Sequence, residues 1–116
     1  MSSNDNLFKK IMRGEIPSAK VYEDDDVYAF KDIAPAAPAH ILIIPRAPLD
    51  GLHELTDDDA LIAGKLLVTA SKLAKELGLE EGGYRVVINT GAAAGQTVPH
   101  LHVHLLAGRD FIWPPG

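Results

Sequence analysis

Apolar positions fall in short, punctuated runs, and their spacing changes character several times along the chain. Leu7, Phe8, Ile11 and Met12 repeat at i, i+1, i+4 and i+5, one stripe of a short helix that Asn4 or Asp5 caps and Gly14 stops. So short a helix depends on docking its stripe onto something larger. Ala19 to Glu23 reads as a strand, Asp24 to Asp26 as a polar turn, and Val27 to Phe30 as the returning strand. Pro35 and Pro38 then force an extended connection. From His40 to Ile44 the run is β-branched and apolar, closed by Pro45, which predicts a buried strand.

The clearest element is a second helix. Thr56 ahead of Asp57, Asp58 and Asp59 places an N-cap and acidic side chains against the positive end of the helix dipole. Apolar or small residues follow at Ala60, Ala63, Gly64, Leu67, Ala70, Ser71 and Ala74, with a second set at Leu61, Val68 and Leu77, and Gly78 ends the run. Tyr84 to Asn89 predicts another strand, Gly91 to Gly95 a small-residue loop, and His100 to Leu106 a last strand. The apolar, proline-rich tail from Phe111 to Gly116 is expected to pack on a surface. No βαβ rhythm is sustained, and no repeat or linker interrupts the order. The pattern predicts an α+β domain with an antiparallel sheet.

Composition narrows the function classes. The 116 residues suit one domain, 1–116, and the net charge of -5 argues against wrapping nucleic acid, where many phosphates need neutralising. The chain has no cysteine, so disulfides and thiolate metal sites are excluded. The N-terminal stretch lacks the apolar core of a secretory signal, and no run approaches the roughly 20 apolar residues of a membrane span. A cytoplasmic enzyme or binding protein, without membrane or nucleic-acid partner, is expected.

Chemistry concentrates at the last strand. Alternation in a strand puts His100, His102 and His104 on one face and Leu101, Val103 and Leu105 on the other. Neighbouring histidines would stand roughly 6 to 7 Å apart along the strand. Such a stripe suits either a metal or phosphorus chemistry. Metal sites need a third ligand and tend to have carboxylates nearby, and no Asp or Glu lies on this strand or in the loop before it. That loop, Gly91-Ala-Ala-Ala-Gly95-Gln96-Thr97, offers backbone N–H groups, an amide and a hydroxyl, which favours phosphate. A neutral imidazole is a competent nucleophile near pH 7. His53 reads as solvated surface, and the acidic runs as turn and helix-start chemistry. On the sequence alone Phe8, Ile11, Phe30, Ile33 and Leu42 read as core, Asp32 as the start of a turn, and Asn89 as a strand-end cap.

Gly95-Gln96-Thr97-Val98-Pro99-His100-Leu101-His102-Val103-His104-Leu105-Leu106 resembles the His-x-His-x-His-x-x signature of the histidine triad (HIT) superfamily. Further agreement at Gly14–Pro17, Ala29–Pro35, Pro38–His40, Asn89–Gly91 and Trp113–Gly116 is similar to the histidine triad nucleotide-binding (Hint) branch. The resemblance implies a HIT-like fold, a five-stranded antiparallel sheet with two helices that becomes ten-stranded across a homodimer. It implies hydrolysis of purine nucleoside phosphoramidates of AMP or GMP type, with no cofactor and no metal. His102 would be the nucleophile, His104 would contact phosphate oxygens, and His100 and His40 would orient or polarise the site. Thr97, Gln96 and the Gly95 backbone would meet phosphate and leaving group, with Val98 beside them. Asp32 would hold the ribose and Asn89 would lie near it; Leu7, Phe8, Ile11, Phe30, Ile33 and Leu42 would form the base pocket. Pro99 and Ala92 to Ala94 depart from the family pattern, at positions that bear on the leaving group. The competing class is a nucleotide-binding or partner-binding module with incidental catalysis; a complete triad beside Thr97 favours the enzyme.

Overall fold

Two central strands set the architecture because their residues are apolar on both faces. In the computed structural model, which describes residues 5–116, Val27, Tyr28, Ala29 and Phe30 are all buried, as are His40 to Pro45. Continuous burial of this kind needs cover on both sides of a sheet. The chain supplies it with α1 (Leu7–Met12) on one face and α2 (Ala60–Glu76) on the other. The strands are β1 (Lys20–Glu23), β2 (Val27–Lys31), β3 (Ala39–Pro45), β4 (Tyr84–Val87) and β5 (Val103–Ala107). They form one five-stranded sheet in the order β1-β2-β3-β5-β4, with every pairing antiparallel. The expected α+β fold is observed.

Alternation sorts the two cores. Val27, Ala29, Ile41, Ile43, Leu101, Val103 and Leu105 pack with Leu66, Ala70 and Leu73 of α2. On the opposite face Tyr28, Phe30, Leu42 and Ile44 pack with Phe8 and Ile11 of α1. The short first helix is thus held by tertiary contact, as its length requires. Its cap is Asn6, whose side-chain oxygen accepts from the Lys9 N–H. Asp5, the described residue of the two expected caps, instead pairs with Arg13, while Asn4 lies outside the described residues.

Several boundaries differ from the sequence expectation. Strand β4 stops at Val87 rather than Asn89, and β5 begins at Val103 rather than His100. The His100 N–H is turned back onto the Val98 carbonyl at 2.8 Å, and Leu101 donates to Leu49, so this stretch bonds outside the ladder. Thr56 and Asp59 form the reciprocal capping box at the start of the second helical segment, first as a 3-10 turn over Asp57–Asp59 and then as α2. The buried face of α2 is Leu66, Thr69, Ala70, Leu73 and Ala74, whereas Leu61, Leu67, Val68 and Leu77 are exposed. Small residues at Ala63 and Gly64 mark the flank of the helix, not the seam against the sheet. Bulk decides it: Leu66 and Leu73, one heptad apart, fill the sheet surface. The tail is pinned at its start, where Arg85 and Arg109 lie over the Phe111 ring and Arg85 donates to the Ile112 carbonyl, and Trp113 points outward. No helix among the described residues is long and apolar enough to cross a membrane.

Candidate active site

The histidines lie on the α1 face of the sheet. His104 is the residue of β5 paired with Leu42 of β3, and Leu42 pairs in turn with Phe30 of β2. His40 stands two residues before Leu42 on the same face, one step along β3. His100 and His102 precede the hydrogen-bonded ladder, yet Leu101 and Val103 still point into the α2 core. Alternation therefore continues past the end of the ladder. The His102 and His104 rings come to 5.0 Å between centroids, closer than an ideal strand repeat, because the side chains lean together.

Hydrogen bonds fix what each ring can do. His102 donates from Nδ1 to the His100 carbonyl at 2.6 Å, which leaves Nε2 with its lone pair and no hydrogen-bond partner among the described residues. His100 donates from Nε2 to the Pro45 carbonyl at 2.8 Å, so its Nδ1 accepts from Asn6 Nδ2 at 3.3 Å. His40 Nδ1 accepts the Ala36 N–H at 3.0 Å, which puts its proton on Nε2, 2.9 Å from His104 Nδ1 and 3.5 Å from an Asp32 carboxylate oxygen. His104 then carries its own proton on Nε2, a buried donor without a partner among the described residues. A lone N–H in that position suits an anionic oxygen.

Burial keeps the His40, His100 and His104 rings neutral. It pushes the His104 imidazole down to about 4, with the neighbouring His102 and His40 adding to the effect. His100 and His40 are lowered by burial too, opposed by the Pro45 carbonyl for His100 and by Asp32 for His40. Near neutral pH this network holds imidazoles that donate and accept by tautomer, without the cost of buried charge.

Every residue expected at the base lines one apolar cavity, Leu7, Phe8, Ile11, Phe30, Ile33 and Leu42, and Asp32, expected at the ribose, lines it too. Phe8 joins that cavity to the triad, with its ring edge-on to Phe30 at 5.6 Å and to His102 at 5.0 Å. Ile33, 93 % exposed, forms the outer lip and not the core. Asp32 closes a turn by accepting the Ala34 N–H and reaches from the cavity to His40. Val98 packs against the Phe8 cluster.

The loop before the triad is braced rather than open. Gln96 donates to the Asp50 and Val98 carbonyls at 2.6 and 3.1 Å and accepts the Gly91 N–H at 2.9 Å, so its amide is committed to joining segments. Thr97 beside it is exposed. Gly95 adopts φ +94°, open to glycine, near the half-buried Asn89. The contact that the sequence reading missed is Asn6 to His100. Its signal is local, an Asn directly ahead of the apolar stripe, one or two residues after the expected caps Asn4 and Asp5.

A carboxylate does approach the triad, although none stands near it in sequence. Asp32, His40 and His104 place one potential ligand atom each within 4.8 Å of one another. The donor types suit zinc, whose Zn–N bonds of about 2.0 to 2.1 Å hold tetrahedral ligand nitrogens roughly 3.3 Å apart. Here His40 Nε2 and His104 Nδ1 share a proton at 2.9 Å, and His40 Nδ1 is held by Ala36. In this geometry the residues do not fit a metal ion.

An antiparallel sheet carrying a histidine stripe beside an apolar cavity defines a class, and comparison with known proteins agrees. The HIT domain model matches residues 13–111. A 14 kDa zinc-binding protein of Brassica juncea is 52% identical over 97% of this chain and 100% of its own. Adenylylsulfatase HINT1 of Arabidopsis thaliana is 50% identical over 99% of this chain and 79% of its own. Among solved structures, a HIT family hydrolase of Legionella pneumophila superposes with a TM-score of 0.94 at 47% identity, covering 97% of this chain and 100% of that one. The chain belongs to the HIT domain family, and within it to the histidine triad nucleotide-binding branch.

Proposed function

We propose that this protein hydrolyses purine nucleoside phosphoramidates, AMP joined to an amine being the typical substrate, through a nucleotidyl-His102 intermediate. The observation that carries the reading is the His102 ring. Its Nδ1–H is tied to a carbonyl at 2.6 Å, and its free Nε2 belongs to a ring in edge contact with Phe8, the wall of the base cavity. Such a nitrogen is a nucleophile needing no base to deprotonate it. A purine in the cavity and ribose hydroxyls on Asp32 would bring the phosphorus to it.

In the first step Nε2 attacks phosphorus, the P–N bond breaks, and the amine leaves with a proton. In the second, water attacks the phosphorus, the P–Nε2 bond breaks, and AMP and the free ring return. Charge on the non-bridging oxygens is met by the His104 Nε2–H, held in place through His104 Nδ1 by His40. The amine takes its proton from solvent through hydrogen-bonding groups at the site, Thr97 among them, and the attacking water of the second step gives one back to solvent by the same route. A hydrolase reading is further supported by the Legionella relative's description. The same machinery would serve the sulfate-leaving substrate that the Arabidopsis relative's name implies.

We also propose that the active form is a homodimer. Strand β4 is an edge of the sheet, with Tyr84 and Val86 exposed on it, and α2 exposes Leu61 and Val68 one heptad apart. Pairing β4 with its copy would continue the sheet to ten strands and cover that apolar face.

The test is steady-state turnover of an AMP-amine compound beside binding of AMP alone. Turnover by the wild type, lost in His102→Ala with AMP binding retained, supports the enzyme. AMP binding without turnover in the wild type would make the protein a binding module. The zinc named for the Brassica relative is checked by elemental analysis of the purified protein. Stoichiometric zinc would replace this account of the His40–His104 pair.

A further inference from the structure

The tautomers of the site depend on a backbone segment between β2 and β3. In the connector from Pro35 to Pro38 only Ala36 and Ala37 offer an N–H, and Pro38 biases Ala37 toward extended backbone. Both peptide groups of Ala36 are in use. Its N–H donates to the buried His40 at Nδ1, and its carbonyl accepts from the exposed Arg109 at Nε, each at 3.0 Å. Ala36 is therefore gripped from the surface on one side and holds a catalytic ring on the other.

Arg109 reaches Ala36 because two strand ends lie side by side. Ala39, the first residue of β3, pairs with Ala107, the last of β5. Gly108 follows with φ +95°, and a Cβ there would stand 2.8 Å from Pro38 Cβ. Glycine suits both that backbone and that approach, so the turn out of β5 lies against the connector. The guanidinium is steadied by its own neighbours. Its Nη1 donates to the Asp110 carbonyl at 3.0 Å, and its plane lies over the half-buried Phe111 ring, 4.3 Å from the centroid. A planar fork fixed in this way aims Nε at one acceptor.

What Ala36 does to His40 is passed to His104. With Nδ1 occupied as an acceptor, His40 carries its proton on Nε2 and donates it to His104 Nδ1 at 2.9 Å, so His104 keeps its own proton on Nε2. Without the Ala36 N–H the His40 proton is free to sit on Nδ1. Nε2 then accepts, His104 turns its proton to Nδ1 to meet it, and His104 Nε2 presents a lone pair where phosphate oxygens need a donor. The Asp32 carboxylate oxygen, 3.5 Å from His40 Nε2, favours the productive tautomer too, so the two influences act together.

We propose that Arg109 is a positioning residue for the triad: by gripping the Ala36 carbonyl it keeps the Ala36 N–H on His40 Nδ1, and so keeps an N–H on His104 Nε2. Its effect on turnover rests on the phosphoramidate reading. Its effect on the His40 tautomer does not.

Two measurements test this in Arg109→Ala and Arg109→Lys. Imidazole 15N spectra of the unliganded protein near neutral pH read the His40 tautomer, the His40 signals being those that vanish in His40→Gln. The wild type should carry the proton on Nε2, and Arg109→Ala should show a population carrying it on Nδ1. Arg109→Lys, which keeps a donor for the Ala36 carbonyl, should return toward the wild type. With an AMP-amine compound, kcat should fall about threefold to tenfold in Arg109→Ala, the scale of one hydrogen bond, with KM and AMP affinity within about twofold. Arg109→Lys should recover part of that loss. A His40 tautomer unchanged in Arg109→Ala overturns the role, and so does a changed tautomer with unaltered kcat. If the wild type turns over no AMP-amine compound, the phosphoramidate reading fails, while the spectra still decide whether Arg109 sets His40.

Discussion

Asn6 Nδ2 stands 3.3 Å from His100 Nδ1, so the residue that starts the first helix also holds the first ring of the triad. Its side-chain oxygen accepts the Lys9 N–H at 2.9 Å in the same arrangement. Helix docking and ring orientation are therefore one event. Phe8, two residues on, carries the link forward to His102.

Asn6→Ala removes both bonds and a third, from Nδ2 to the Pro99 carbonyl at 3.4 Å. Loss of the cap alone is expected to cost about 1 kcal/mol of stability. Because α1 walls the base cavity, AMP affinity should also fall, measurable by calorimetry. Asn6→Ser keeps the cap without reaching His100; it should restore the stability and leave a residual loss of turnover. Full recovery by Ser would show that the His100 contact does nothing for the reaction.

The buried histidines predict a direction of acid sensitivity. His104 is lowered to about 4, and His40 and His100 are lowered as well, from an ordinary value of 6.5. Between 6.5 and the folded values the unfolded chain binds more protons, so stability is full above 6.5 and falls as the pH drops toward 4. Urea midpoints at pH 7.5, 6 and 5 should decline in that order, and less steeply in His104→Gln. A midpoint that holds steady or rises on acidification contradicts the neutral, buried network.

Two leucines side by side on α2 should behave differently. Leu66 is buried against the sheet at 2 % exposure, and Leu67 is 52 % exposed. Leu66→Ala should cost about 2 to 5 kcal/mol in chemical denaturation, Leu67→Ala within about 0.5 kcal/mol. Equal losses would show that the exposed side is a second core.

The proposed dimer has its own variant. Val86→Asp places a charge on the open edge of β4, away from the triad, and should shift the species seen by light scattering from twice the chain mass to the chain mass. An unchanged mass for the variant would remove β4 from the interface.

Much of this was legible in the sequence because it depends on alternation. The faces of β2, β3 and β5 follow from residue parity, and parity placed Leu101, Val103 and Leu105 opposite the histidines even where the ladder had not begun. Thr56 announced α2 because a cap is a local interaction. What stayed hidden depends on contacts distant in sequence. Asp32 reaches His40 and the triad only through the pairing of β2 with β3, and no spacing along the chain shows that. Gln96 offered an amide for a phosphate, but three backbone groups claim it, one of them on the Asp50 turn. The face of α2 was misplaced because apolar residues circle that helix, and periodicity could not say which stripe the sheet would cover. His53 read as solvent-exposed, which it is, while its neighbourhood with Gln96 needed the fold.

The central claim is that His102 Nε2 bonds to phosphorus, and trapping that bond tests it most directly. Rapid quenching of the wild type with an AMP-amine compound, followed by peptide mass spectrometry under conditions that spare P–N bonds, should find one adenylyl group on His102. His104→Ala should slow formation of the adduct without moving it. An adduct on His100 or His104, or steady turnover in His102→Ala, would contradict the assignment.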